Sequence, residues 1–92
     1  MDLNLRGKVA LITGGSKGIG FQTARIFAQE GCNVAICARG TSELENAAMQ
    51  LECTGVKVAA IRADVCDPGE SDQLVKECVE RLGGIDILVN NV

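Results

Sequence analysis

Residues 9–31, VALITGGSKGIGFQTARIFAQEG, constrain this chain more than any other stretch. A short apolar run, a glycine cluster and a helical pattern follow one another there without a break. Val9, Ala10, Leu11 and Ile12 have the continuous apolar character of a parallel strand covered on both faces, and Thr13 ends the run. Gly14, Gly18 and Gly20 follow at Gly-x-x-x-Gly-x-Gly spacing around Gly15, Ser16, Lys17 and Ile19. Without Cβ atoms the backbone can turn sharply, and an anion can approach the main chain. Beyond Gly20, Ala24, Phe27, Ala28 and Gly31 recur at helical spacing between Gln22, Arg25, Gln29 and Glu30. Such a helix aims its free N–H groups and positive dipole end at the turn, which is an arrangement for binding a phosphate.

Composition agrees with a sheet flanked by helices. Of the 92 residues 47% are hydrophobic but only 2% aromatic, so the core has to be built from Val, Ile, Leu and Ala. A chain of this length makes one domain at most and buries only about 60–65% of its extended surface. The net charge of −3, with nine basic residues scattered along the chain, argues against a nucleic-acid surface. Five cysteines without a Cys-x-x-Cys pair, and no histidine, speak against a metal centre and fit reduced thiols. Cys37 and Cys78 read as small buried hydrophobes, while Cys66 lies beside a candidate site. The first residues lack a signal-peptide core and no apolar run reaches membrane-spanning length, so the expected location is the cytoplasm.

Strand and helix patterns alternate along the whole sequence. A second buried strand is expected over 33–38, with Arg39 just past its end. Ser42 and Glu45 have capping-box spacing ahead of a helix with Leu44, Ala47, Ala48 and Leu51 as its apolar stripe. A third strand is expected over 56–63, followed by Asp64 and Val65. Asp67, Pro68 and Glu70 then combine an N-cap, a first-turn proline and a box glutamate. Leu74, Val75, Cys78, Val79 and Leu82 share one face of the helix that follows, and Gly83-Gly84 end it. Residues 85–89 make a fourth strand before Asn90, Asn91 and Val92. The order βαβαβαβ with short connections predicts right-handed crossovers and hence an α/β fold, a parallel sheet with helices on both faces. The usual Rossmann-type, doubly wound order 3-2-1-4 would put the fourth strand beside the first. The glycine turn, Arg39, Asp64 and Asn90 would then meet at the carboxyl ends of the strands.

Two other glycine motifs do not match. A Walker loop needs Lys and then Ser or Thr after its last glycine, where Phe21 and Gln22 stand. A Gly-x-Gly-x-x-Gly fingerprint needs Gly or Ala at Thr23. Thr13 to Gly20 instead resembles the TGxxxGxG signature of the short-chain dehydrogenase/reductase family, and the likeness extends along the whole chain, with a look similar to 3-oxoacyl-carrier-protein reductases. The resemblance implies a nicotinamide cofactor held by Gly14, Ser16, Lys17, Gly18, Ile19 and Gly20. Ala38 stands where an NAD-selecting aspartate would be, followed by Arg39, so Arg39 and Lys17 point to NADP(H) rather than NAD(H). The plain alternative is that both are ordinary solvated charges. Asp64 resembles the family residue that bonds the adenine amino group, with the Val65 backbone lining the ring; a strand-ending turn cap is the simpler role. Asn90-Asn91 resembles the start of the family's NNAG segment, although Val92 replaces the alanine.

The family's general acid/base is a tyrosine with a lysine four residues on, supported by a serine and an asparagine. This chain has no tyrosine, and Ser16, Ser42 and Ser71 lie in the glycine turn and at helix starts. The expectation is therefore an N-terminal NADP(H)-binding portion, residues 1–92, of an enzyme acting on a small carbonyl or alcohol substrate. No catalytic and no metal-ligating residue is assigned within it. A non-catalytic nucleotide-binding or subunit-association module is the alternative. An uncovered fourth strand would favour self-association.

Overall fold

The computed structural model describes residues 5–14 and 18–90. Seven elements alternate along the chain: β1 (Val9–Thr13), α1 (Gly18–Gln29), β2 (Asn33–Ala38), α2 (Thr41–Glu52), β3 (Val58–Arg62), α3 (Pro68–Leu82) and β4 (Ile87–Asn90). All strand pairings are parallel and the sheet order is β3-β2-β1-β4. Strand β1 is therefore central, with Leu11 opposite Ala35 of β2 on one side and opposite Leu88 of β4 on the other.

Burial on both faces explains the unbroken apolar runs of the inner strands. All of β1 is buried, and so are Val34 to Cys37 of β2. Alternate residues feed two separate cores. Ala10, Ile12, Val34 and Ile36 pack under α1 and α2 with Ala24, Ala28, Leu44, Ala47 and Leu51. Val9, Leu11, Ala35, Cys37, Ala59 and Ile61 pack under α3 with Leu74 and Cys78. One face thus carries two helices and the other one. On the single-helix face Leu88, beside Leu11, is left 65% exposed.

Several local expectations change. Helix α1 starts at Gly18, so Gly18, Ile19 and Gly20 belong to its first turn rather than to a turn ahead of it. Positive φ angles at Gly14 (67°) and Gly18 (63°) supply the bend between strand and helix. The Ser42–Glu45 capping box does not form: the cap position falls two residues earlier, on an extended Gly40 that offers no side-chain cap. Asp67 does cap α3, its Oδ1 accepting from the N–H groups of Gly69 at 2.9 Å and Glu70 at 3.4 Å, with Pro68 in the first turn. The Glu70 carboxylate, however, does not turn back onto the cap residue; it accepts from the Asp64 N–H. The apolar stripe of α3 is narrower than its spacing predicts, since Leu74 and Cys78 are buried while Val75 and Val79 are exposed. Helical spacing shows which residues share a face, not how much of that face meets a partner.

Side chains finish the sheet where its ladder stops. Asp86, just ahead of β4, accepts the Val9 N–H through Oδ2 at 2.8 Å and donates its own N–H to the Val9 carbonyl at 2.8 Å. At the outer border, Arg81 of α3 reaches the Ala60 carbonyl of β3 at 3.3 Å and pairs with Glu77 at 3.9 Å.

Candidate functional site

Because the four strands run in one direction, the residues that follow them assemble along one edge of the sheet. Register fixes the neighbours: Thr13 stands opposite Cys37 and Asn90, and Ala38 opposite Arg62. Gly14, Arg39, Asp64 and Asn90 accordingly occupy the carboxyl ends of β1, β2, β3 and β4. The expected residues therefore share one end of the molecule. Ser16 and Lys17, and the neighbouring Gly15, lie outside the described residues, as do Asn91 and Val92.

Each position is held by bonds that leave chemistry available. The Gly14 N–H donates to the Cys37 carbonyl at 3.0 Å, which binds the start of the turn to β2. The Thr13 hydroxyl, in an otherwise apolar strand, donates to Asn90 Oδ1 at 2.9 Å and so links the ends of β1 and β4. Gly18 and Ile19 are exposed, whereas Gly20 is buried against the sheet. Among the described residues a Cβ built on Gly18 would meet nothing within 4 Å, so none of them closes the approach to the amino end of α1. The first turn of α1 has no carboxylate to oppose an anion there. Arg39 is exposed, and among the described residues no hydrogen bond or ion pair occupies its guanidinium. Asp64 is half-buried; its Oδ1 accepts the Cys66 N–H at 3.0 Å. Val65 is half-buried beside it and packs against the α3 core.

This set of groups fits a phosphorylated nucleotide. The α1 terminus and the Arg39 guanidinium suit phosphate, and Asp64 Oδ2, which has no partner among the described residues, suits an amino group. Burial pushes the Cys37 thiol above the ordinary thiol range against the opposing pull of the Gly14 N–H, so Cys37 serves as packing beneath the turn. Sequence reading gave Glu70 the wrong partner and missed Asp86; both side chains bond to main-chain groups of loops and strands. No periodicity marks such contacts, and the Asp86 bond joins residues 77 apart in sequence. A separate groove lined by Arg6, Glu30, Gly31, Asn33 and Gly55 lies at the opposite, amino end of the strands. No helix among the described residues is long and apolar enough to cross a membrane.

Comparison with known proteins agrees with the fold and the motif. The chain is 43% identical to L-sorbose reductase of Gluconobacter frateurii, solved with NADPH and L-sorbose, and superposes on it with a TM-score of 0.96 over 100% of this chain and 35% of that one. It is 42% identical over 85 residues to a 3-oxoacyl-[acyl-carrier-protein] reductase of Staphylococcus aureus, covering 91% of this chain and 35% of that protein. It is also 46% identical over 85 residues to a glycine betaine reductase of Emericella nidulans, covering 92% of this chain but 7% of the larger protein. The chain thus spans about a third of the first two relatives and a small part of the third. Residues 8–92 match the sequence model described as short chain dehydrogenase, and on that match the chain belongs to the short-chain dehydrogenase family.

Proposed function

We propose that residues 1–92 act as the N-terminal, NADP(H)-binding part of an oxidoreductase that moves a hydride between nicotinamide and a small carbonyl or alcohol substrate. The observation that carries this is the alignment of Gly14, Arg39, Asp64 and Asn90 at the carboxyl ends of four adjacent parallel strands, beside the amino end of α1. Gly14, Ser16, Lys17, Gly18, Ile19 and Gly20 would surround the pyrophosphate, and α1 would supply N–H groups and its dipole. Arg39, with Lys17, would grip the 2′-phosphate of the adenosine ribose. Asp64 and Val65 would receive the adenine, and Asn90 would lie near the nicotinamide-side ribose. The cofactor supplies the hydride chemistry; these residues bind and orient it. Support for NADP(H) comes from Ala38-Arg39 at the end of β2 and from two similar structures that contain NADPH.

Arg39→Asp tests the assignment by titration with NADPH and NADH. Loss of a charge-assisted bond should weaken NADPH by about tenfold or more and leave NADH much less affected. Equal losses for both would overturn the role of Arg39. The 92 residues hold no tyrosine, which favours binding without turnover for this chain by itself and keeps a nucleotide-binding or subunit-association module as the second reading. Incubation with NADPH and a panel of diketones separates the two. Measurable reduction would show that chemistry resides within these residues.

A further inference from the structure

We propose that Glu70 is a positioning residue, its carboxylate fixing Asp64 through the Asp64 main-chain N–H so that the free oxygen of Asp64 meets the purine amino group. This rests on the adenine role of Asp64 proposed above. The geometry begins with the ladder at the end of β3. The Ala63 N–H donates to the Ala38 carbonyl of β2 at 3.1 Å, so the next amide, that of Asp64, points away from β2, to the side where no strand pairs with β3 among the described residues. Glu70 Oε1 accepts it at 3.3 Å. In a capping box the glutamate at this helix position turns back onto the N–H of the cap residue. Here the Asp67 N–H already donates to the Asp64 carbonyl at 3.0 Å, and Glu70 is directed outward to the strand end instead.

Three atoms of Asp64 are thereby committed: its N–H to Glu70, its carbonyl to Asp67 and its Oδ1 to Cys66. Oδ2 has no hydrogen-bond partner among the described residues. A half-buried aspartate held at two main-chain atoms and one carboxylate oxygen presents its other oxygen in a set direction. It would accept from an adenine 6-amino group and oppose the 6-oxo group of hypoxanthine. Purine identity at position six is therefore a readout specific to this placement.

The test is an NMR titration of the 92-residue chain with adenosine 2′-monophosphate and inosine 2′-monophosphate, using the wild type, Glu70→Gln and Glu70→Asp. The wild type should prefer the adenosine ligand by about tenfold, the worth of one hydrogen bond to a charged group. Glu70→Gln keeps the acceptor oxygen and should retain the preference. Glu70→Asp keeps a negative charge at the start of α3, and with it the helix, but is one methylene too short; its preference should fall toward unity. Amide exchange in the unliganded chain gives a second readout, with the Asp64 N–H protected in the wild type and Glu70→Gln and about tenfold faster in Glu70→Asp. Preference retained in Glu70→Asp, preference lost in Glu70→Gln, or equal exchange in all three proteins would overturn the role of Glu70 while leaving Asp64 on the adenine. A wild type indifferent to the purine would overturn both.

Discussion

Cys32, Cys37 and Cys78 are buried thiols whose surroundings resist ionisation. Burial raises all three above the ordinary thiol range, and at Cys32 the carboxylates of Asp86 and Glu30 add to it. Unfolding releases these groups, so at alkaline pH the unfolded chain gives up protons before the folded one does. Their contribution to stability is complete below the free-thiol pKa, about 8.5, and is lost as pH rises through the higher folded values. Urea midpoints should hold near neutrality and decline above about pH 9, where unburied thiols are mostly ionised. A flat midpoint through that range would contradict the burial. At this scale the sequence was informative where a residue works through its own neighbours: Cys37 in an apolar strand and Asp67 before a proline were both legible. Asp86 was not, because its carboxylate stands in for a ladder bond to Val9, and only the folded sheet brings the two together.

Among the elements, α2 and α3 show why similar capping signals have different outcomes. Asp67 precedes Pro68, whose ring fixes φ for a first turn and whose missing N–H leaves nothing unsatisfied, so the helix starts there. Ser42 has neither constraint, and the extended Gly40 lets α2 begin at Thr41 instead. Asp67→Ala should therefore cost about 1 kcal/mol of stability, the usual loss on removing an N-cap side chain. Ser42→Ala should cost little, since no side chain caps α2. Chemical denaturation of the two variants checks the contrast, and equal losses would return Ser42 to the cap. The apolar stripe of α2 was fully legible: Leu44, Ala47, Ala48 and Leu51 are all buried. That of α3 was only half so, because among the described residues α3 has no helical neighbour on its face of the sheet, and Val75 and Val79 are left in water.

For the molecule as a whole, the alternation of elements made a parallel sheet legible, whereas the order β3-β2-β1-β4 was expected only as the usual doubly wound arrangement, since right-handed crossovers also permit others. Among the described residues β4 pairs on one side only, and the exposed Leu88 gives that border an apolar character. We expect the 92-residue chain to self-associate there. Leu88→Lys places a charge on the border and should shift the chain toward monomer, as read by sedimentation at increasing concentration. An unchanged distribution, or a wild type that stays monomeric, would remove β4 from consideration. The opposite border differs. Ala60 already gives its outward carbonyl to Arg81, and Arg62 adds a second charge on β3 itself. A sheet guarded on one flank and receptive on the other can be lengthened in a single direction. We expect an additional strand to find its berth alongside Ile87–Asn90.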